Sequence, residues 1–272
     1  MKSKTILGVD GRESNSIELP EIFETPYRPE VIHKVCINLL SHTYQRQGRY
    51  PAAGEIVSAE SRNTGLGIAR IARARGEGFQ RAGQAAGVAG VRHGRVAHPP
   101  ESWKTIRKKI NKKEKLLGFC SAIAATGRKD LIIGRGHKVG KVSNFPIVVS
   151  NDIEYISKTR DLRMALLALG LEEDLIRARS SYKRRTGTAR RRGRSARSGV
   201  SALIVVENDE NLGRLSESIP GVEVRSVQKL NIIDLVPGSK AIRLTIFSQN
   251  AIEKLKDVKA PFLRIMRMMT SK

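Results

Sequence analysis

Three sets of residues in this 272-residue chain have types and spacing that could do chemistry. The first is Gly134 to Lys141 (GRGHKVGK), a glycine- and lysine-bearing stretch behind the apolar Leu131-Ile132-Ile133. A phosphate-cradling loop of the Walker type has four residues between its outer glycines and a Ser or Thr after the lysine. Here five residues separate Gly134 from Gly140, and Val142 follows Lys141. Gly134, Gly136 and Gly140 also miss the dinucleotide spacing, so the stretch reads as a basic surface loop. The second set is five histidines and two cysteines. His33 and Cys36 lie one helical turn apart with no second pair to complete a metal site. His93 and His98 stand beside Arg92 and Arg95, with no carboxylate or serine placed to orient a base. Cys36 and Cys120 have neither disulfide nor zinc spacing and read as buried thiols in helices. No catalytic, metal-binding or cofactor-binding residue is assigned. Glu172-Glu173 and Asp174 read as a helix N-terminus, where negative charge complements the dipole.

The third set is arginine, whose planar fork pairs with phosphate and stacks on bases. The net charge is +24 and the pI about 10.6, which calls for a polyanionic partner. From Tyr44 to Lys115 there are 16 Lys/Arg against 5 Asp/Glu, and from Arg177 to Arg197 there are 10 against none. These segments carry +11 and +10, so the remaining chain is nearly neutral. The Arg177–Arg197 run has almost none of the bulky apolar residues a membrane-surface helix needs opposite its basic face, and no run approaches the roughly 18 apolar residues of a membrane span. A soluble, intracellular, nucleic-acid-binding protein is expected.

The elements that must hold these arginines are of two kinds. Residues 44–103 show neither helical nor strand periodicity, while glycine recurs at 48, 54, 65, 67, 76, 78, 83, 87, 90 and 94. Alternating small residues with Arg62, Arg70, Arg73, Arg75, Arg81, Arg92 and Arg95, this stretch reads as a long extended non-globular arm that orders on folded RNA. Doubled back, each limb of ~30 residues could reach ~100 Å. Arg46, Arg49 and His93 join its predicted RNA contacts, as do Lys104, Lys108, Lys109, Lys112 and Lys113 beyond it. A second basic loop, 180–199, adds Lys183, Arg184, Arg185, Arg190, Arg191, Arg192, Arg194 and Arg197.

The rest reads as a single α/β domain of 1–272 into which the arm is inserted. A short strand at 5–9 precedes a helix that starts at Pro29 and ends near Gly48. After Pro99-Pro100, Ser102 is a candidate N-cap for a helix from Trp103 to Thr126, with Gly127 as its stop. Strands are predicted at Phe145–Ser150, Ala202–Val206, Val222–Val227 and Ala241–Ile246. Helical patterns at Thr159–Leu169, Glu172–Arg179, Asn211–Ser218, Leu230–Leu235 and Asn250–Lys256 separate them. Short β-branched strands alternating with helices imply a mostly parallel sheet of about four strands, covered on both faces.

The segment RNTGLGIARIARARGEGFQRAGQAAGVAGVRHGRVAHPP closely resembles the archaeal and eukaryotic form of the large-subunit ribosomal protein L-four family. LPEIFETPYRPEVIHK precedes it, INKKEKLLGFCSAIAATGR follows it, and VVSNDIE and RLTIFSQNAI come later in the same order. The resemblance implies a three-layer α/β/α core on the ribosome's solvent side and an arm running inward through 23S rRNA. It also implies that the arm, matched at Gly65, Gly67, Gly76 and Gly78, meets the L-twenty-two family protein. There it narrows the peptide exit tunnel and lies near the nascent peptide. Other large-subunit proteins are implied as neighbours, with Mg only as rRNA counterion and a cytoplasmic location. Two other readings remain: an RNA-modifying enzyme with a nucleotide or methyl-donor site at the carboxyl ends of the strands, and a free RNA-binding regulator of its own message.

Overall fold

A computed structural model describes residues 3–240, 242–258 and 261, and these divide into two compact units. One comprises residues up to Leu40 together with those from Lys109 onward; the other is Ser41–Lys108.

The first unit is built on strands β1 (Ser3–Leu7), β2 (Glu13–Glu18) and helix α1 (Pro29–Leu40). After the insertion follow α2 (Lys112–Ala125), α3 (Lys129–Gly134), β5 (Ile147–Val149), α4 (Thr159–Ala168) and α5 (Glu172–Ser180). The intervening labels β3 (Ala59–Ser61) and β4 (Ala72–Ala74) belong to the second unit. The chain continues through β6 (Lys183–Arg184), α6 (Gly187–Arg191), β7 (Ala196–Arg197), β8 (Leu203–Val206) and α7 (Glu210–Ser216). It ends with β9 (Glu223–Ser226), α8 (Ile232–Leu235), β10 (Thr245–Ser248) and α9 (Gln249–Leu255).

The main sheet has six strands in the order β2-β1-β5-β10-β8-β9. All neighbours are parallel except the edge pair β1–β2. The predicted parallel α/β core is present: the short strand expected at 5–9 joins the sheet as β1, over Ser3–Leu7, and the antiparallel edge strand β2 is an addition. Strand alternation divides its side chains between two cores. Val148, Leu203, Val205 and Phe247 face Val35, Cys120, Ile123, Leu235 and Ile252. Ile147, Val149, Ile204, Val206 and Ile246 face Leu162, Leu166 and Leu212. Every residue of Leu203–Val206 is buried, as expected of a parallel strand covered on both sides. Each such side chain contributes ~1.5–3 kcal/mol by leaving water. At Gly118 in α2 a Cβ would stand 2.9 Å from Val35 Cγ2, so only glycine lets α1 and α2 pack this closely.

Several boundaries differ from expectation. α1 stops at Leu40, not near Gly48, and a 3-10 turn follows at Ser41–Thr43. α2 begins at Lys112 instead of Trp103; its N-cap is Asn111, whose side chain accepts the Lys113 N–H at 3.2 Å, and Trp103 is 62% exposed. The lysine-dense approach repels itself, and helix starts only where the Asn111 side chain caps a first-turn N–H and Glu114 adds negative charge to that turn. The fourth predicted strand lies at Thr245–Ser248; Ala241 is outside the described residues.

The Ser41–Lys108 unit has more local order than its periodicity indicated. β3 and β4 pair antiparallel in the register Ala59↔Ala74 to Ser61↔Ala72, and Arg73 bridges to Ala85. Ala74 N–H donates to Gln84 and Ala86 N–H to Ala72, each at 2.9 Å, which adds a third short strand-like segment. Of its apolar side chains only Ala74 is fully buried. Backbone hydrogen bonds and close turns therefore hold the unit together. At Gly94 a Cβ would come 2.1 Å from the Val88 carbonyl oxygen, and at Gly54 it would meet Gly94 at 2.8 Å.

Candidate nucleic-acid interface

The basic loop of residues 180–199 is a ribbon, not an irregular coil. β6 and β7 pair antiparallel, Lys183 with Arg197 and Arg184 with Ala196, and α6 forms its tip. Arg185 N–H donates to Ser195 at 2.8 Å and Arg194 N–H to Ala189 at 3.0 Å. The guanidinium groups of Arg184, Arg190, Arg191, Arg192 and Arg194 make no hydrogen bond or ion pair among the described residues, and all five are exposed.

The base of this ribbon rests on a buried polar node. The Asp174 carboxylate accepts from Ser201 Oγ at 2.6 Å, Arg177 Nε at 2.9 Å, Lys138 N–H at 3.0 Å and His137 Nδ1 at 3.1 Å. Burial alone would push this carboxyl up, but the hydrogen bonds from His137, Arg177 and Ser201 outweigh it and hold Asp174 well below the usual carboxylate range. Arg177 also donates to Val200 O at 2.7 Å, and Ser181 Oγ accepts the Gly199 N–H at 2.6 Å. The segment leaving β7 is thereby tied to the carboxyl end of α5, from which β6 itself runs on.

Ser201, Asp174 and His137 share residue types with a hydrolase triad, but their order is wrong. The serine donates to the aspartate instead of the histidine, and His137 Nε2 accepts the Leu244 N–H at 3.3 Å. All three are buried, so neither a nucleophile nor a free base is presented. Gly134–Lys141 follows helix α3 where a phosphate loop would follow a strand, since Leu131–Ile133 are helical. His33 is exposed on α1 and pairs with Ser239, while Cys36 is buried and points its thiol at Val236 O. Burial pushes the Cys120 thiol up to about 12. Among the described residues no group of His, Cys, Asp and Glu is placed to hold a metal ion, and no helix is long and apolar enough to cross a membrane.

At the carboxyl edge of the sheet, the usual place for a nucleotide in such folds, chain groups satisfy one another. Glu154 accepts from Ser248 Oγ at 2.6 Å and from the Glu207 N–H at 3.0 Å; Asn151 Nδ2 donates to Asn250 at 2.7 Å. The electropositive groove is at the opposite, amino edge. It encloses about 1030 Å³ and is lined by Arg135, Arg177, Lys183, Arg197 and Lys240 without a carboxylate. Burial, and then the charges of Arg243 and Arg177, push the Arg135 pKa down. Beneath it Arg243 is fully buried and donates to Ser201 O at 2.7 Å, Gly221 O at 2.8 Å and the Glu223 carboxylate at 2.7 Å. Lys183 and Arg197 were expected as contacts from sequence; Arg135, Arg177, Lys240 and the supporting Asp174 and Arg243 were not. A charged residue inside the strand-like AIRLTIF was the one available signal for Arg243.

The arm contacts predicted from sequence fall into two groups. Arg46, Arg62, Arg70, Arg81, Arg92, His93, Lys104 and Lys108 are exposed, and the side chains of Arg46, Arg62, Arg70, Arg81 and Arg92 have no partner among the described residues. Arg49, Arg73 and Arg95 are half-buried and partly used within the unit: Arg49 donates to Ala53 O, Arg73 to Gly83 O at 3.0 Å, and Arg95 lies 3.8 Å from Glu55. Arg75 pairs with Glu60. Gly65 and Gly67 lie in the loop between β3 and β4, Gly76 and Gly78 just after β4, and all four have positive φ. Lys109 is exposed in the other unit, where Lys112 and Lys113 occupy the first turn of α2. Cations at that end oppose the helix dipole, an arrangement an external anion would relieve.

The ribosomal protein L4/L1 family matches residues 17–258. The large ribosomal subunit protein uL4 of Methanococcus vannielii is 40% identical over 93% of this chain and 98% of its own length. That of Pyrobaculum aerophilum is 40% identical over 92% of this chain and 88% of its own. The protein of the same name from Candida albicans is 36% identical over 93% and 70%. These matches run through both the sheet unit with its basic ribbon and the Ser41–Lys108 unit, and so the chain belongs to the ribosomal protein L4/L1 family.

Proposed function

We propose that this chain is a non-catalytic structural constituent of the large ribosomal subunit in the cytoplasm, binding 23S-type rRNA through two cationic surfaces. Partner-free guanidinium groups on pinned scaffolds carry the reading: Arg184, Arg190, Arg191, Arg192 and Arg194 on the ribbon, and Arg62, Arg70, Arg81 and Arg92 in the inserted unit. Uncompensated like charges destabilise a free protein, and a phosphate backbone neutralises them. The Arg62–Ile71 stretch between β3 and β4 also exposes Leu66 at 59% and Ile68 at 47%, a mixture of apolar and cationic groups suited to burial within a ribonucleoprotein. This loop is the proposed tip that lines the nascent-peptide tunnel, beside the L-twenty-two family protein.

The test is binding of the full chain to protein-free large-subunit rRNA across a salt series. Replacing Arg62, Arg70 and Arg92 together with Ala, or Arg190, Arg191 and Arg192 together, should each lower the slope of log K against log salt by about 2 to 3, at about 0.7–0.9 per phosphate. Unchanged slopes would overturn the reading.

A further inference from the structure

Within the Ser41–Lys108 unit a cavity of about 320 Å³ has an apolar floor of Val57, Ala74, Ala85 and Ala86. Its volume is at the small end of ligand pockets, which span about 300–1,000 Å³. Phe79 lines it and is 48% exposed, in a chain with only 6 phenylalanines. The ring's place is set by Gly76, where a Cβ would stand 3.2 Å from Phe79 Cε1. Arg81, Arg92 and His93 also line the cavity, as do the amides of Gln80 and Gln84. The lining contains no carboxylate. His93 has a positive φ of 61°, a backbone state few non-glycine residues adopt. The close turn at Gly94, 2.1 Å from Val88 O for an added Cβ, holds it there.

An exposed aromatic ring over an apolar floor accepts a planar group. Side-chain amides offer both donors and acceptors to that group's edge, and flanking guanidiniums accept the negative charge it brings. A nucleotide combines these features, and RNA is read mainly through unstacked bases that lie on aromatic or guanidinium planes. We propose that this cavity receives one unstacked base of RNA, with Phe79 as its stacking platform and Arg81 and Arg92 on the adjoining phosphates. The proposal rests on the RNA-binding reading above and names a specific site within it.

The experiment uses full-length protein and protein-free large-subunit rRNA, with affinity measured across a salt series and rRNA bases probed by base-specific modification. Phe79→Ala should weaken binding about five- to 150-fold, the range for one lost base–aromatic stack, without changing the salt slope. Phe79→Tyr should restore it, and Arg81→Ala should instead lower the slope by about 0.7. Wild-type protein should shield one nucleotide that becomes reactive with Phe79→Ala. Wild-type affinity in Phe79→Ala overturns the proposal and leaves the RNA-binding reading intact. So does a loss accompanied by new protease cleavage within residues 41–108, which would make Phe79 a merely structural residue. Failure of wild-type protein to bind the rRNA overturns both.

Discussion

Asp174→Asn tests whether the buried node supports the basic ribbon. The substitution preserves shape but removes the charge that four donors share, from His137, Lys138, Arg177 and Ser201. Asn offers one oxygen and turns an N–H₂ group toward donors, which leaves Arg177 without its counter-charge. Breaking a buried, hydrogen-bonded charge pair from one side costs about 3–5 kcal/mol. At ~2–4 °C per kcal/mol for a domain of roughly 150–250 residues, the unfolding midpoint should fall by about 6–20 °C. Ser201→Ala, which deletes one hydrogen bond, should cost only about 0.5–1.5 kcal/mol. The pH dependence gives a second check. The carboxyl of Asp174 is held below its ordinary range in the folded protein, whereas an unfolded aspartate titrates near about 3.9. Its stabilisation is therefore complete above that pH and is lost as the pH falls further. Thermal unfolding by circular dichroism from pH 7 to pH 3 should show the gap between wild type and Asp174→Asn narrowing on the acid side. A midpoint shift under 2 °C, or a gap that widens with acid, would refute the assignment.

Two further outcomes follow from the packing. Gly94→Ala puts a methyl group against the Val88 carbonyl, an overlap costing about 1–3 kcal/mol. Limited proteolysis should show faster cleavage at arginines 81–95 while the midpoint of the sheet unit stays unchanged; a fall of that midpoint would contradict the division into two units. Cys36 and Cys120 are buried, with burial raising the pKa of both thiols, so a thiol reagent at pH 8 should label neither until the protein unfolds, and rapid labelling of the native protein would contradict the packing of α1 on α2.

The sequence alone determined the class of the core. Runs such as LIVV and FPIVV, spaced by helical patterns, can bury both faces of a strand only in a parallel sheet between helices, and all four predicted strands that lie wholly within the described residues belong to that sheet. It also located the charge, because net charge is additive along a chain and owes nothing to folding. The start of α2 was misplaced because apolar spacing continues back to Trp103, while helix initiation depends on which residue can cap the first N–H groups, here Asn111. The short strands Ala59–Ser61 and Ala72–Ala74 left no mark in an apolar pattern, since their order comes from backbone hydrogen bonds between alanines and from close glycine turns. Only the tertiary structure separated the arginines already engaged by the chain from those left for a partner. Arg75 and Arg70 look alike in sequence, yet Arg75 meets Glu60 across the hairpin and Arg70 faces solvent. Asp174, read from sequence as one of three acids opening a helix, is the buried centre of a node of four partners: Arg177 lies one helical turn on, but the other three lie 36 or 37 residues before it and 27 after it. Such convergence is set by the path of the chain across the sheet, and no local pattern encodes it.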